Sequence, residues 1–529
     1  MKKYYWIILL AILLFGFILR FVGLDTNPPH LGNDEISIAF DTYSIRLIGK
    51  DEHGHFLPIS FESHRSYKAP LYAYFNIPFN IVFGNNEYGI RALSAIAGTV
   101  SIYLSALLGT LIAGPNVGLI TAVLMATNPK NIFASRIGFE SNLATTVMLF
   151  GIWGLLKYVD SRKKIWLFVG GFFMGLSIWG YHTEWGLVPM ILACIPIIFR
   201  KSIPIKNWFW TLLIAIIVSL PVYYNFITVQ KSDSNNRATS QLWFSGGQFK
   251  DYLNNSNDSK VKKTLKVFTT PIYSYIEHFS LNVNFTTGSD LFNVKSPLSS
   301  GWFLLTTLPM IFFGLYFGKN LFGRWWIFLI TWWILCPIIP ATAGSISSVR
   351  NLPFIVPTSL IMAGGCLEIC RLYFRLRYLL LFVFTINLVI FFVAFFIHFP
   401  LDSGNNFQYG YKQAWEFIKP NVTKYDKVVV EDRFGDVGQY TGVPHLYFGY
   451  FGAFTVNDMQ ARHEDSGLAI GKFRFKYVDW NKEIYMPNTV YIVSAINPKA
   501  GPFYNKLVQI GMIRNLDYKP QFLIYETIK

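Results

Sequence analysis

Residues 4–22 read YYWIILLAILLFGFILRFV, and residues 23–35, which follow, read GLDTNPPHLGNDE. A run of about 20 apolar residues is long enough to cross the hydrocarbon core of a bilayer as a helix. The first stretch is therefore a membrane span, and the second is the polar loop where it emerges. Lys2 and Lys3 ahead of it give the pattern of a signal peptide, but no small-residue cleavage site follows and Arg20 closes the run. The segment reads as a retained signal anchor.

Working outward, the same character continues. The 529-residue chain is 52% hydrophobic and only 14% charged, with mean hydropathy +0.35, against roughly 25% charged residues in soluble globular domains. The formal net charge of +16 sits in short loops between apolar runs, with no nucleic-acid motif beside it, so no nucleic-acid partner is expected. The basic loops are Arg162/Lys163/Lys164, Arg200/Lys201/Lys206, Lys319/Arg324 and Arg371/Arg375/Arg377. Positive loop residues prefer the cytoplasm, and placing all of these inside requires an even number of crossings between successive basic loops.

About eleven spans satisfy this, near 4–22, 90–113, 116–134, 141–158, 165–180, 185–199, 207–227, 302–318, 325–341, 351–370 and 378–399. The N-terminus is then cytoplasmic. The run Pro70–Phe83 is apolar but too short to span, and counting it would invert every later loop, so it is placed as a juxtamembrane segment at the outer face. The external side receives 23–89, the links near 135–140, 181–184 and 342–350, a long loop at 228–301, and everything after 400. Around 231–263 that long loop has the Asn-, Ser- and Lys-rich composition of a partly mobile segment.

The expected fold class is mainly α: a polytopic membrane helix bundle over residues 1–401, with external juxtamembrane helices, followed by a small external α/β domain over 402–529. In the tail, β-rich runs at Lys427–Glu431, Thr489–Ser494 and Phe522–Glu526 alternate with helix-compatible stretches at Tyr411–Ile418 and Asn505–Ile513. Cys194, Cys336, Cys366 and Cys370 lie in apolar segments with no zinc or redox spacing, and read as core residues. No P-loop, dinucleotide fingerprint or GxSxG elbow is present, so nucleotide-driven chemistry is not expected.

The first external loop concentrates ionisable groups: Asp34 and Glu35 directly after the first span, then His53, His55, His64, Arg65 and Lys68. Such groups beside a membrane are costly unless paired, exposed or functional. Adjacent residues on regular structure point to different sides, so Asp34 and Glu35 do not both serve one atom. One acting carboxylate with a supporting neighbour is expected.

The order Asn33-Asp34-Glu35, Tyr67-Lys68-Ala69-Pro70-Leu71-Tyr72, Phe83-Gly84-Asn85-Asn86-Glu87 and Ile90-Arg91-Ala92-Leu93-Ser94-Ala95 resembles the protein O-mannosyltransferase and aminoarabinose transferase families of GT-C membrane glycosyltransferases. The resemblance is good over residues 1–200 and looser beyond. It departs at Ala69, where the families often have Pro, and at Glu140, where related chains often carry Asp. It implies a polyprenyl-phosphate-linked sugar donor, an acidic residue of the first external loop facing the active site, and a Lys-Pro-Pro-Leu-like motif at the membrane surface. The acceptor is a lipid, glycan or protein.

Displacing a polyprenyl phosphate from an anomeric carbon requires the acceptor hydroxyl to lose a proton, which a positioned carboxylate can take. Asp34 is the candidate base. The departing phosphate gains charge that fixed cations stabilise, and Lys68, Arg91, Arg136 and Arg350 are candidates, each arginine being equally readable as an interfacial snorkelling side chain. Glu35, Glu140 and the link Tyr181-His182-Thr183-Glu184 could meet sugar hydroxyls or a divalent metal, or pair with the arginines; one His and scattered carboxylates do not make a metal motif. A one-sided displacement inverts the anomeric centre. The rival readings are a transporter or flippase of lipid-linked sugar and a non-catalytic membrane scaffold.

Overall fold

The computed structural model describes residues 2–63, 66–229, 252, 254, 258–288, 301–434, 440–464, 467–497, 501–502 and 504–528. His64, Arg65 and most of the long loop expected at 228–301 lie outside the described residues.

The protein is a multi-pass membrane protein, mainly helical, with a sheet-bearing C-terminal region. Among the described residues, seven helical stretches are long and apolar enough to cross a membrane: Tyr4–Phe21, Glu87–Ala113, Glu140–Ser161, Ile205–Thr228, Leu305–Ala341, Leu352–Leu372 and Leu376–Asp402. Four more are apolar but shorter: Leu71–Phe83, Pro115–Ala126, Ile165–Ser177 and His182–Ile198. At 1.5 Å per residue, the 13 residues of Leu71–Phe83 reach about 20 Å, short of a hydrocarbon core of about 30 Å.

One expected span is corrected. The run 116–134 is two helices, Pro115–Ala126 and Pro129–Ser135. Pro129 has no N–H to continue the first helix, and the Asn128 side chain caps the second by accepting the Asn131 N–H at 2.8 Å.

By packing, the chain divides into two compact units. The first comprises Met1–Val22, Ile59–Tyr72 and Ala92–Phe395. Its central helices cross closely through small residues: a methyl on Gly365 would collide with the Met310 carbonyl, and one on Gly314 with that of Ile361. Such crossings let apolar helices pack where lipid supplies no hydrophobic drive. Outer helices keep large apolar side chains uncovered, among them Leu10, Phe209, Trp210, Leu379 and Phe382, as a lipid-facing surface requires.

The second unit comprises Gly23–Pro58, Ala73–Arg91 and Phe396–Lys529. It holds a seven-stranded sheet ordered Leu507–Arg514, Pro520–Thr527, Thr489–Ser494, Lys427–Glu431, Phe473–Lys476, Leu468–Ile470 and His463–Glu464. The central strand Lys427–Glu431 runs parallel to both neighbours, and the outer pairings are antiparallel. The three strands read from sequence are present, as is helix Tyr411–Ile418. The stretch Asn505–Ile513, expected as helix-compatible, is instead largely the edge strand Leu507–Arg514. Gly511 costs a helix about 1 kcal/mol relative to alanine, and the ladder to Pro520–Thr527 satisfies the backbone instead.

Candidate active site

In the second unit, the loop after the first span turns into helix Asn33–Ile48 at Gly32. Glu35 is buried, while Asp34 beside it stays partly exposed in the helix's first turn, where the helix dipole favours a carboxylate. The Glu35 carboxylate accepts the Gly32 N–H at 2.9 Å and is held bidentately by Arg91, at 2.8 Å through Nε and 2.9 Å through Nη2. Arg91 spends its other donors on backbone carbonyls: Nη1 reaches Leu24 at 2.7 Å and Pro28 at 2.8 Å, and Nη2 reaches His30 at 2.5 Å. All five guanidinium N–H groups are thus engaged inside the protein.

The same loop is braced from the C-terminal region. The Tyr447 hydroxyl donates to the Leu31 carbonyl at 2.6 Å, and the His30 ring stacks on Tyr447 with centroids 4.9 Å apart. His30 Nδ1 lies 3.1 Å from the Phe407 carbonyl. Burial pushes the His30 pKa down to about 4, so the ring is neutral at pH 7 and Nδ1–H is the donor.

The first unit carries the remaining candidates. Lys68 ends strand Ser66–Lys68, which pairs with Phe61–Ser63, and is 2% exposed. Arg136 closes helix Pro129–Ser135 and donates through Nη1 to the carbonyls of Leu19 and Val22, both at 2.9 Å. Glu140 is buried at the first position of helix Glu140–Ser161. His182 opens helix His182–Ile198, its ring 4.7 Å from Trp185 and 6.0 Å from Tyr181. Arg350 is half-buried, and its carbonyl accepts the Thr183 hydroxyl at 3.0 Å, which joins the links 181–184 and 342–350. Glu184 is fully buried with Thr145 beside it.

Sequence reasoning missed a group next to these. Lys130 is 1% exposed; its ammonium lies 3.3 Å from the centroid of the Trp302 ring and donates to the Asn351 carbonyl at 3.1 Å. The His278 ring is 6.0 Å from that of Trp302 and its Nδ1 is 2.7 Å from the Ser274 carbonyl. Among the described residues, His278 Nε2, Trp302 Nε1 and both side-chain polar atoms of Asn351 are buried with no hydrogen-bond partner. Buried polar groups are normally satisfied, so these mark capacity for a ligand. The signal in the sequence was Asn128-Pro129-Lys130-Asn131, a helix-breaking dipeptide and a charge inside a run read as one span. Among the described residues, no group of three or more His, Cys, Asp or Glu side chains is arranged to hold a metal ion.

Residues 67–224 match the family model described as dolichyl-phosphate-mannose-protein mannosyltransferase. No curated protein sequence matches the chain. Among solved structures, ArnT from Cupriavidus metallidurans bound to undecaprenyl phosphate is 13% identical, with 99% of this chain and 98% of that one covered and a TM-score of 0.57. Its apo form gives 12% identity, the same coverage and a TM-score of 0.56. The apo oligosaccharyltransferase of Archaeoglobus fulgidus is 14% identical over 90% of this chain and 64% of that one, with a TM-score of 0.50. The fold is that of the GT-C membrane glycosyltransferases. The resemblance read from Asn33 to Ala95 is thereby borne out.

Proposed function

We propose that the protein is an inverting glycosyltransferase that moves a sugar from a polyprenyl-phosphate carrier to an acceptor on the extracytoplasmic side, with Asp34 as general base. The observation that carries the assignment is the division of labour between neighbours. Glu35 is locked to Arg91, and Asp34, one residue earlier, stays partly exposed on a braced helix N-terminus. As the acceptor oxygen bonds to the anomeric carbon, the bond to the phosphate breaks, the hydroxyl proton passes to Asp34 and the polyprenyl phosphate departs. Support for the donor class comes from the similar ArnT, whose structure holds undecaprenyl phosphate.

In this reading Glu35 and Arg91 are positioning residues. Lys68, Arg136 and Arg350 are the cations assigned to the donor phosphate, and Glu140, His182, Lys130, Trp302, His278 and Asn351 are assigned to the donor headgroup. The transferred unit is a hexose or pentose. Positive-inside charge supports a cytoplasmic N-terminus and an external C-terminal domain over 402–529. A transporter would instead need charged or broken helices near the bilayer midplane, whereas the candidate charges here gather at helix ends and links.

Asp34→Asn is the test, because it keeps size and hydrogen bonding but cannot take the proton. Transfer to a hydroxyl acceptor is expected to fall by about 10²–10⁴ with donor binding retained. Near-normal transfer by this variant to such an acceptor would sink the assignment.

A further inference from the structure

Helix Lys260–Glu277, KVKKTLKVFTTPIYSYIE, belongs to the first unit and has three distinct sides. At 3.6 residues per turn, one side carries Ser274 and leads to His278, 1% and 0% exposed, and packs into the protein. A second carries Val261, Leu265, Phe268, Ile272 and Ile276 at spacings of four, three, four and four, every one of them more than half exposed. Between them lies a third side with Lys262 and Lys266.

An uncovered apolar stripe of this length on a helix is costly in water. A lysine flank beside it matches one environment, the boundary between headgroups and acyl chains. The helix is also tied in sequence to that environment, because spans Ile205–Thr228 and Leu305–Ala341 lie on either side of it. The lysines are available at such a surface: Lys262 is 74% exposed and 3.8 Å from Asp258, and Lys266 lies 4.2 Å from the centroid of the Tyr252 ring.

From this three-sided geometry we propose that helix Lys260–Glu277 lies in the membrane interface and binds the phosphates of anionic phospholipids through Lys262 and Lys266, with its apolar stripe in the acyl boundary. The inference goes beyond the transferase reading and does not depend on it. Its consequence for the first unit is mechanical. The turn that follows the helix holds His278 against Trp302, so leaflet charge sets how firmly that end is held.

The test is amide hydrogen exchange of residues 260–277 in the full chain, one chain per nanodisc, in phosphatidylcholine with and without phosphatidylglycerol. Exchange is expected to slow at least tenfold when phosphatidylglycerol is present, and Lys262→Gln/Lys266→Gln is expected to abolish the difference. Equal exchange of the wild-type helix in the two lipids overturns the headgroup recognition. Exchange as fast in both as in detergent overturns the interfacial placement as well, and slowing only in discs with two chains assigns the stripe to a second copy and overturns the proposal.

Discussion

Two buried clusters, Lys130 with Trp302 in the first unit and Arg91 with Glu35 in the second, are satisfied to different degrees. In the second, Arg91 and Glu35 satisfy each other and the surrounding carbonyls completely, and Glu431 accepts the Ser494 N–H and the Asn497 amide, both at 2.8 Å. In the first, Lys130 rests on an aromatic face and one carbonyl, while Asn351, Trp302 and His278 keep buried polar atoms without hydrogen-bond partners among the described residues. Completed networks hold shape. The incomplete one leaves two donors, Trp302 Nε1 and Asn351 Nδ2, and two acceptors, Asn351 Oδ1 and His278 Nε2, for a ligand to meet.

The largest effect that would break this comparison is on stability. Arg91→Ala should cost about 3–5 kcal/mol, because it leaves the Glu35 carboxylate buried without its cation. Thermal unfolding in detergent measures it, and a loss under about 1 kcal/mol would mean the network holds little. Removing both charges together with Glu35→Gln and Arg91→Met should cost less than the single change.

In the first unit the sign of the test reverses. Lys130→Met should leave the unfolding temperature near wild type, since an apolar chain of similar length suits that site, but should weaken donor use. Lys68→Ala and Arg350→Ala should behave likewise. Each charge-assisted contact to a half-buried phosphate is worth about 1.5–3 kcal/mol, roughly a tenfold or greater loss in donor-dependent rate. Unchanged donor dependence in all three would remove the first unit's cations from the donor site.

The smallest effect is a slope. Burial lowers the His30 pKa from 6.5 to about 4, so the unfolded chain binds more protons between those values and stability rises with pH across that window. Burial raises that of Glu431 from 4.5 to about 7 against its hydrogen bonds from Ser494 and Asn497, so the folded chain holds the extra proton and stability falls as pH rises from 4.5 to 7. The two slopes oppose each other where they overlap. His30→Gln should therefore tilt the stability curve of the intact chain downward with pH, and Glu431→Gln should tilt it upward. Parallel curves for wild type and both variants would refute the pairing.

How much of this was legible beforehand follows from the range of each signal. Spans and strands are local patterns of hydrophobicity, and most appear where composition placed them. The split at Asn128-Pro129 was local too, and was overridden by the length of the apolar run around it. Asp34 and Glu35 could be separated by geometry alone, since neighbours on a helix diverge. Their partners could not: Arg91 lies 56 positions from Glu35, and Lys130 donates to a carbonyl 221 positions away. The edge strand Leu507–Arg514 became a strand through its pairing with Pro520–Thr527, which its own residues do not announce.

The bond from Tyr447 to Leu31 joins positions 416 residues apart. At synthesis rates of about 5–20 residues per second, the segment carrying Asp34 emerges roughly 20–80 s before its brace exists. The helix that bears the proposed base therefore waits through the making of nearly every span. A nascent chain interrupted before Pro444 carries the Asp34 carboxylate without the hydrogen bond from Tyr447 that braces the loop leading to it.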